Sequence, residues 1–248
     1  LKKRLLTWGL EMEIIESVNL AHAGAALEGY LALPDGQGPH RAVLVMHNAH
    51  GLGEQVRKSA RRLAEAGYVA LASDMYGGAF FSTNTEATGK VIAPLFADPN
   101  LLRQRVNAWY EYLRARQEVD PARMGAIGYC FGGQCVLELA RGGADVKVVV
   151  SYHGLLQTAL PAQPGGVKAQ IAVYTGAQDL YVPREIVSAF QDEMLAAGAR
   201  WQITVFGEVG HSFTDPDAAE SGLPGLAYDP LAAQLSWAGT EVLLASLL

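Results

Sequence analysis

Ala126-Ile-Gly-Tyr-Cys-Phe-Gly-Gly133 says more about this 248-residue chain than any other stretch of it. Inside it, Gly128-x-Cys130-x-Gly132 has the spacing of a nucleophile elbow, with cysteine where serine is usual. An elbow sets the reactive side chain on a strained turn between a strand and a helix. Small residues two before and two after let strand and helix close up around that turn. The same residues also fit a plain glycine-rich turn over a buried cysteine, and the flanks decide between the two. Arg123-Met-Gly-Ala-Ile-Gly-Tyr129 is an apolar run of strand type. Gln134-Cys-Val-Leu-Glu-Leu-Ala-Arg141 is a good helix with a cation in its last turn and Gly142-Gly143 to end it. The elbow makes Cys130 the candidate nucleophile and aims the Phe131 N–H at a developing oxyanion.

On either side of the elbow, short apolar strands alternate with helices. Residues 12–20, 26–33, 41–46, 68–72, 147–152, 170–175 and 201–206 read as strands. Residues 54–66, 101–116, 183–197 and 230–247 read as helices, and a long irregular stretch runs from Asp74 to about Glu86. The alternation predicts an α/β fold with a mostly parallel central sheet and helices on both faces. Ligands of such sheets bind beyond the carboxyl ends of the strands. Half of the residues are apolar and 18% are charged, so one domain over 12–248 is expected. The net charge of −6 is spread without a basic block, which speaks against nucleic acid and anionic membranes as partners. Residues 1–11 read as an N-terminal extension that need not be native, with Met12 as a natural start. Cys130 and Cys135 have neither a metal nor a dithiol spacing. Two free thiols suit a cytoplasmic protein.

A thiol needs a base to act as a thiolate, and the base needs an orienting acid. Asp179, in Thr175-Gly-Ala-Gln-Asp-Leu-Tyr-Val-Pro183, follows one strand, and His211, in Glu208-Val-Gly-His-Ser-Phe213, follows the last. Alone, Asp179 also suits a helix cap and His211 an ordinary loop histidine. Together they complete the order nucleophile, acid, base, each just past a strand. The loop His47-Asn-Ala-His-Gly-Leu-Gly53 follows the third strand, and the Ala49 N–H is the candidate second oxyanion donor. His47 and His50 resemble a metal pair, but no third ligand has fitting spacing and no metal is expected. His153 either borders the site or is a packed structural residue. His22 and His40 read as exposed loop residues, and Cys135 as core.

These residues resemble the dienelactone hydrolase family over almost the whole chain from Met12. The resemblance rests on Gly128-Tyr-Cys-Phe-Gly-Gly133, Gly176-x-x-Asp179 and Gly210-His-Ser-Phe213, with support from His47-x-x-x-Gly51-Leu and Asp74-Met-Tyr76. It implies an α/β-hydrolase fold, a Cys130–Asp179–His211 triad, an oxyanion hole of Phe131 and Ala49 N–H groups, and ester or lactone opening through an acyl-thioester without a cofactor. Two departures bear on substrate. Dienelactone-cleaving members of the family carry a Glu where this chain has Asn48, and an Arg shortly after the catalytic His-Ser-Phe where this chain has Thr214-Asp-Pro-Asp217. Lys90 and Arg103 are the cations offered as replacements. Asn48, His50, Tyr76, Phe80, Phe81, Leu180, Tyr181 and Phe213 are expected to line the pocket. A neutral activated ester or lactone is then the expected small-molecule substrate, of a monomer or homodimer. An activated phosphotriester is the alternative, and a non-catalytic binding protein on the same fold is the rival of another class.

Overall fold

The computed structural model describes residues 14–248. Residues 1–11, and the start of the first expected strand at Met12, lie outside the described residues. The frame is set by strands whose two faces are both apolar. In β3 (His40–Met46), Ala42, Leu44 and Met46 enter one core while Val43 and Val45 enter the other. All five are buried, as expected of a strand covered on both sides. The same holds for β4 (Val69–Ser73) and for β6 (Val148–Tyr152).

The other strands are β1 (Ile14–His22), β2 (Ala25–Leu33), β5 (Val119–Tyr129), β7 (Gln170–Gly176) and β8 (Arg200–Phe206). Together they form an eight-stranded sheet in the order β1-β2-β4-β3-β5-β6-β7-β8. The β1–β2 and β2–β4 pairs are antiparallel and the rest parallel. Helices α1 (Glu54–Glu65) and α6 (Pro230–Leu247) cover one face through Val56, Leu63, Trp237 and Leu244. The opposite face is covered by α3 (Pro99–Arg114), α4 (Phe131–Arg141) and α5 (Arg184–Ala196) through Trp109, Val136 and Phe190. This is the α/β-hydrolase architecture. None of the described helices is long and apolar enough to cross a membrane.

Two expectations need correction. The irregular stretch stops at Asn84, whose side chain accepts from the Ala87 N–H and caps an unexpected helix, α2 (Thr85–Ala97). This helix buries only Thr88 and Leu95 and contains Gly89 and Pro94, so it lacks the apolar stripe that marks a helix in sequence. His22 and His40 are not loop residues. They lie at strand ends, half-buried.

Candidate active site

Cys130 sits between β5 and α4 with φ +51° and ψ −115°, a left-handed backbone that a non-glycine residue adopts only at a cost of about 1–3 kcal/mol. The turn is held by the Cys130 N–H donating to the Tyr152 carbonyl, 3.0 Å, and the Gly133 N–H donating to the Cys130 carbonyl, 2.9 Å. The glycines at 128 and 132 are required by contact. A methyl group on Gly128 would strike the Gly132 carbonyl, and one on Gly132 would strike the Met46 carbonyl. Three of the five described non-glycine residues with positive φ border this site: Cys130, His153 and Ser212.

The structure brings Cys130, His211 and Asp179 together. His211 faces the Cys130 thiol closely enough for each to shift the other's titration. Its Nδ1 lies 2.7 Å from Asp179 Oδ2. The other oxygen, Oδ1, accepts the N–H groups of Tyr181 and Val182, which fixes the carboxylate within its own turn. Asp179 and His211 are buried and Cys130 is half-buried. The Phe131 and Ala49 N–H groups are near enough to the Cys130 sulfur to favour its charged form. Burial pushes the thiol pKa up, but the His211 charge and hydrogen bond, with these two N–H groups, hold it below its ordinary value. Burial likewise opposes a charged His211, yet the facing sulfur and the Asp179 hydrogen bond raise its pKa to about 10. Both shifts favour a thiolate–imidazolium pair.

The oxyanion loop is pinned from below. The Tyr76 hydroxyl donates to the Ala49 carbonyl, 3.1 Å, and the Tyr76 ring stacks on Phe131 at 5.6 Å. Phe80 meets Tyr76 edge-on. His47 is a structural residue. Its Nε2 accepts the Met75 N–H, 3.0 Å, its Nδ1 bonds the Asn48 carbonyl, 2.6 Å, and burial lowers its pKa. His50 turns its Nδ1 to the Ser82 carbonyl, 3.0 Å. No group of three His, Cys, Asp or Glu side chains is placed to share a metal among the described residues.

Besides Tyr76 and Phe80, which pack under the oxyanion loop, the expected pocket residues separate into three kinds. Asn48, His50 and Phe81 line a cleft of about 280 Å³, together with Glu54, Asp215, Asp217 and Glu220. Tyr181 places its ring 4.8 Å from His211, with Leu180 largely exposed beside it. Phe213 does not line a pocket: it is fully buried, its ring against His153 and Phe206, and it backs the loop that carries His211. The replacement cations are elsewhere. Lys90 pairs with Glu86 in solvent, while Arg103 pairs with Glu138 and donates to the Leu160 carbonyl. A larger groove of about 780 Å³ lies between α1 and α6, and neither it nor the smaller cleft is lined by Cys130, Asp179 or His211. The groove meets the site at Gln55, which no sequence motif singled out, and at Thr214, which the sequence marked only as part of an acidic stretch.

This fold and site define an α/β-hydrolase with a cysteine at its elbow. The model of the dienelactone hydrolase family matches residues 27–248, and the chain belongs to that family. A solved structure of P91, a dienelactone hydrolase-like promiscuous phosphotriesterase from metagenomic libraries, is 35% identical. It superposes with a TM-score of 0.90 over 95% of this chain and 98% of that one. A Bradyrhizobium protein named "Probable 2-oxo-3-(5-oxofuran-2-ylidene)propanoate lactonase" is 28% identical over 236 residues, 92% of each chain. The Caenorhabditis elegans protein K02A2.1 is 35% identical over 142 residues, 56% of this chain and 89% of its own.

Proposed function

We propose that residues 12–248 act as one hydrolase domain that cleaves neutral activated esters or lactones through an acyl-Cys130 intermediate. The observation that carries this reading is a thiol on a strained strand–helix elbow that faces a buried imidazole backed by a carboxylate at 2.7 Å. The Cys130 thiolate attacks the carbonyl carbon, and the carbonyl electron pair moves onto oxygen, facing the Phe131 and Ala49 N–H groups. Collapse restores the carbonyl and breaks the bond to the leaving oxygen, which takes the proton of His211. His211 then deprotonates a water that attacks the thioester, and the departing sulfur is again a thiolate. Two free thiols suit a reducing, cytoplasmic setting, and a monomer or homodimer would each hold a complete triad. Mass spectrometry of the protein quenched during turnover of an aryl ester should show one acyl group on the peptide of Cys130. Acylation elsewhere, or none under single-turnover conditions, would overturn the reading.

A phosphotriester substrate is the second reading, and the likeness to P91 favours it. Attack on phosphorus also loads one oxygen with charge and needs no cationic clamp.

The cleft that flanks the oxyanion loop at Asn48 and His50 bears on substrate charge. Its lining has four carboxylates and no Lys or Arg, so an anionic acyl or leaving group meets repulsion there. Of two matched aryl esters, one neutral and one bearing a carboxylate, the neutral one should have the higher kcat/KM by roughly tenfold at low salt, narrowing as salt screens the cleft. An anionic preference that salt weakens would contradict this.

The resting state of the thiol is testable without substrate. Asn48 carries no charge: its Oδ1 accepts the His50 N–H, 2.9 Å, and its Nδ2 donates to Gln55, 3.0 Å. The thiolate persists as pH falls below the free-thiol value of about 8.5 and is lost only as pH passes the lowered pKa of Cys130. Iodoacetamide inactivation should accordingly be fast at pH 6–7, roughly tenfold above a free thiol. Asn48→Glu should slow it, since a carboxylate near sulfur disfavours a second negative charge. A wild-type profile that rises only near the free-thiol pKa, unchanged by Asn48→Glu, would refute the ion pair.

A further inference from the structure

Beside the triad runs a chain of side-chain hydrogen bonds whose direction is fixed at one end by a backbone donor. The His50 N–H donates to Asn48 Oδ1, 2.9 Å, so Asn48 Nδ2 donates to Gln55 Oε1, 3.0 Å. Gln55 Nε2 then donates to Thr214 Oγ1, 3.2 Å. Thr214 Oγ1 in turn is hydrogen-bonded to His153 Nε2, 2.8 Å. The chain joins three separate segments: the oxyanion loop with the start of α1, the loop after His211, and the end of β6. Gln55 and Thr214 are 159 residues apart.

His153 is held against its own preferences. Its φ is +39°, it is 1% exposed, and its Nδ1 is buried without a hydrogen-bond partner. A left-handed backbone and a buried ring nitrogen without a partner are both unfavourable. What the placement supplies is contact. The ring lies edge-on to His211 at 5.1 Å and to Phe213 at 5.1 Å. Burial and the neighbouring His211 keep the ring neutral, holding its pKa well below the usual histidine value. A neutral ring packs against the His211 imidazolium, whereas a charged one would repel it.

We propose that His153 is a positioning residue: tethered through Thr214 and Gln55 to Asn48, it holds the His211 loop and the oxyanion loop in one fixed register. This rests on the triad reading above. Register matters because attack requires sulfur, base and oxyanion donors to be correct at once, and an error of about 1 Å can cost roughly 100-fold in rate.

Steady-state kinetics on a neutral p-nitrophenyl ester tests the tether. Thr214→Val keeps the shape and removes the hydroxyl, and should lower kcat about tenfold with KM within about twofold. Thr214→Ser restores the hydroxyl and should stay within about twofold of wild type. Gln55→Met should fall in the same direction. The double variant Thr214→Val/Gln55→Met should be no worse than Thr214→Val alone, because one chain is broken once. His153→Phe, which keeps a ring without Nε2, should match Thr214→Val; thermal melting reports whether it folds, and the Thr214 pair decides if it does not. A wild-type kcat in Thr214→Val, a Thr214→Ser as impaired as Thr214→Val, or additive losses in the double variant would each overturn the proposal. Full turnover by Cys130→Ala would instead sink the triad reading, whatever the Thr214 series showed. A dead Cys130→Ala with a flat Thr214 series would remove only the tether.

Discussion

Cys130→Ala is expected to lose at least about 10⁴-fold in kcat/KM on p-nitrophenyl esters with the fold intact. The loss is large because the other groups at the site act through the sulfur. The Phe131 and Ala49 N–H groups and the His211 ring all favour its charged form, and without it they face a methyl group with nothing to acylate. The fold should survive because the strained turn is held by the Tyr152 carbonyl and by glycine contacts, none of which involve the thiol. Cys130→Ser should also be badly impaired. A serine hydroxyl is far harder to deprotonate, and the histidine that stabilises a thiolate here has its pKa raised to about 10 partly by that thiolate. Near-normal rates for the alanine variant, with a wild-type melting curve, would show that another residue carries the chemistry.

The second large effect is expected at the base and its partner. His211→Ala should slow acylation by about 10³–10⁴-fold, and Asp179→Asn by a similar factor while the protein stays folded. Asp179 spends its two oxygens differently. Oδ1 holds the turn through Tyr181 and Val182, and Oδ2 holds His211 Nδ1 at 2.7 Å. An asparagine that keeps its oxygen on the turn presents an amide nitrogen to Nδ1, which forces the proton to Nε2 and removes the lone pair that deprotonates the thiol. Asp215 is near His211 in sequence, but its side chain accepts from the Asp217 N–H within its own turn, so Asp215→Asn should change kcat/KM by less than about twofold. Single-turnover acylation rates for the three variants decide the matter. An unchanged Asp179→Asn with an inactive Asp215→Asn would reassign the acid.

The elbow, the strand–helix alternation and the order Cys130, Asp179, His211 were legible in the chain because each depends on local geometry. A close approach at Gly128 and Gly132 needs glycine whatever lies far away, and a strand buried on both faces needs an unbroken apolar run such as Ala42–Met46. Helix α2 was illegible because it buries two residues and so carries no periodic stripe. The standing of Arg103, Phe213, Gln55 and Thr214 was decided only by tertiary structure. Each depends on a partner far off in the chain: Glu138 for Arg103, Phe206 and His153 for Phe213, and each other for Gln55 and Thr214 across 159 residues. Short-range spacing determined which groups are the candidates for chemistry. Which of them touch, which bear charge and which merely support their neighbours was set by packing and burial between distant segments, because hydrogen bonds and desolvation act over a few ångströms of space rather than along the chain.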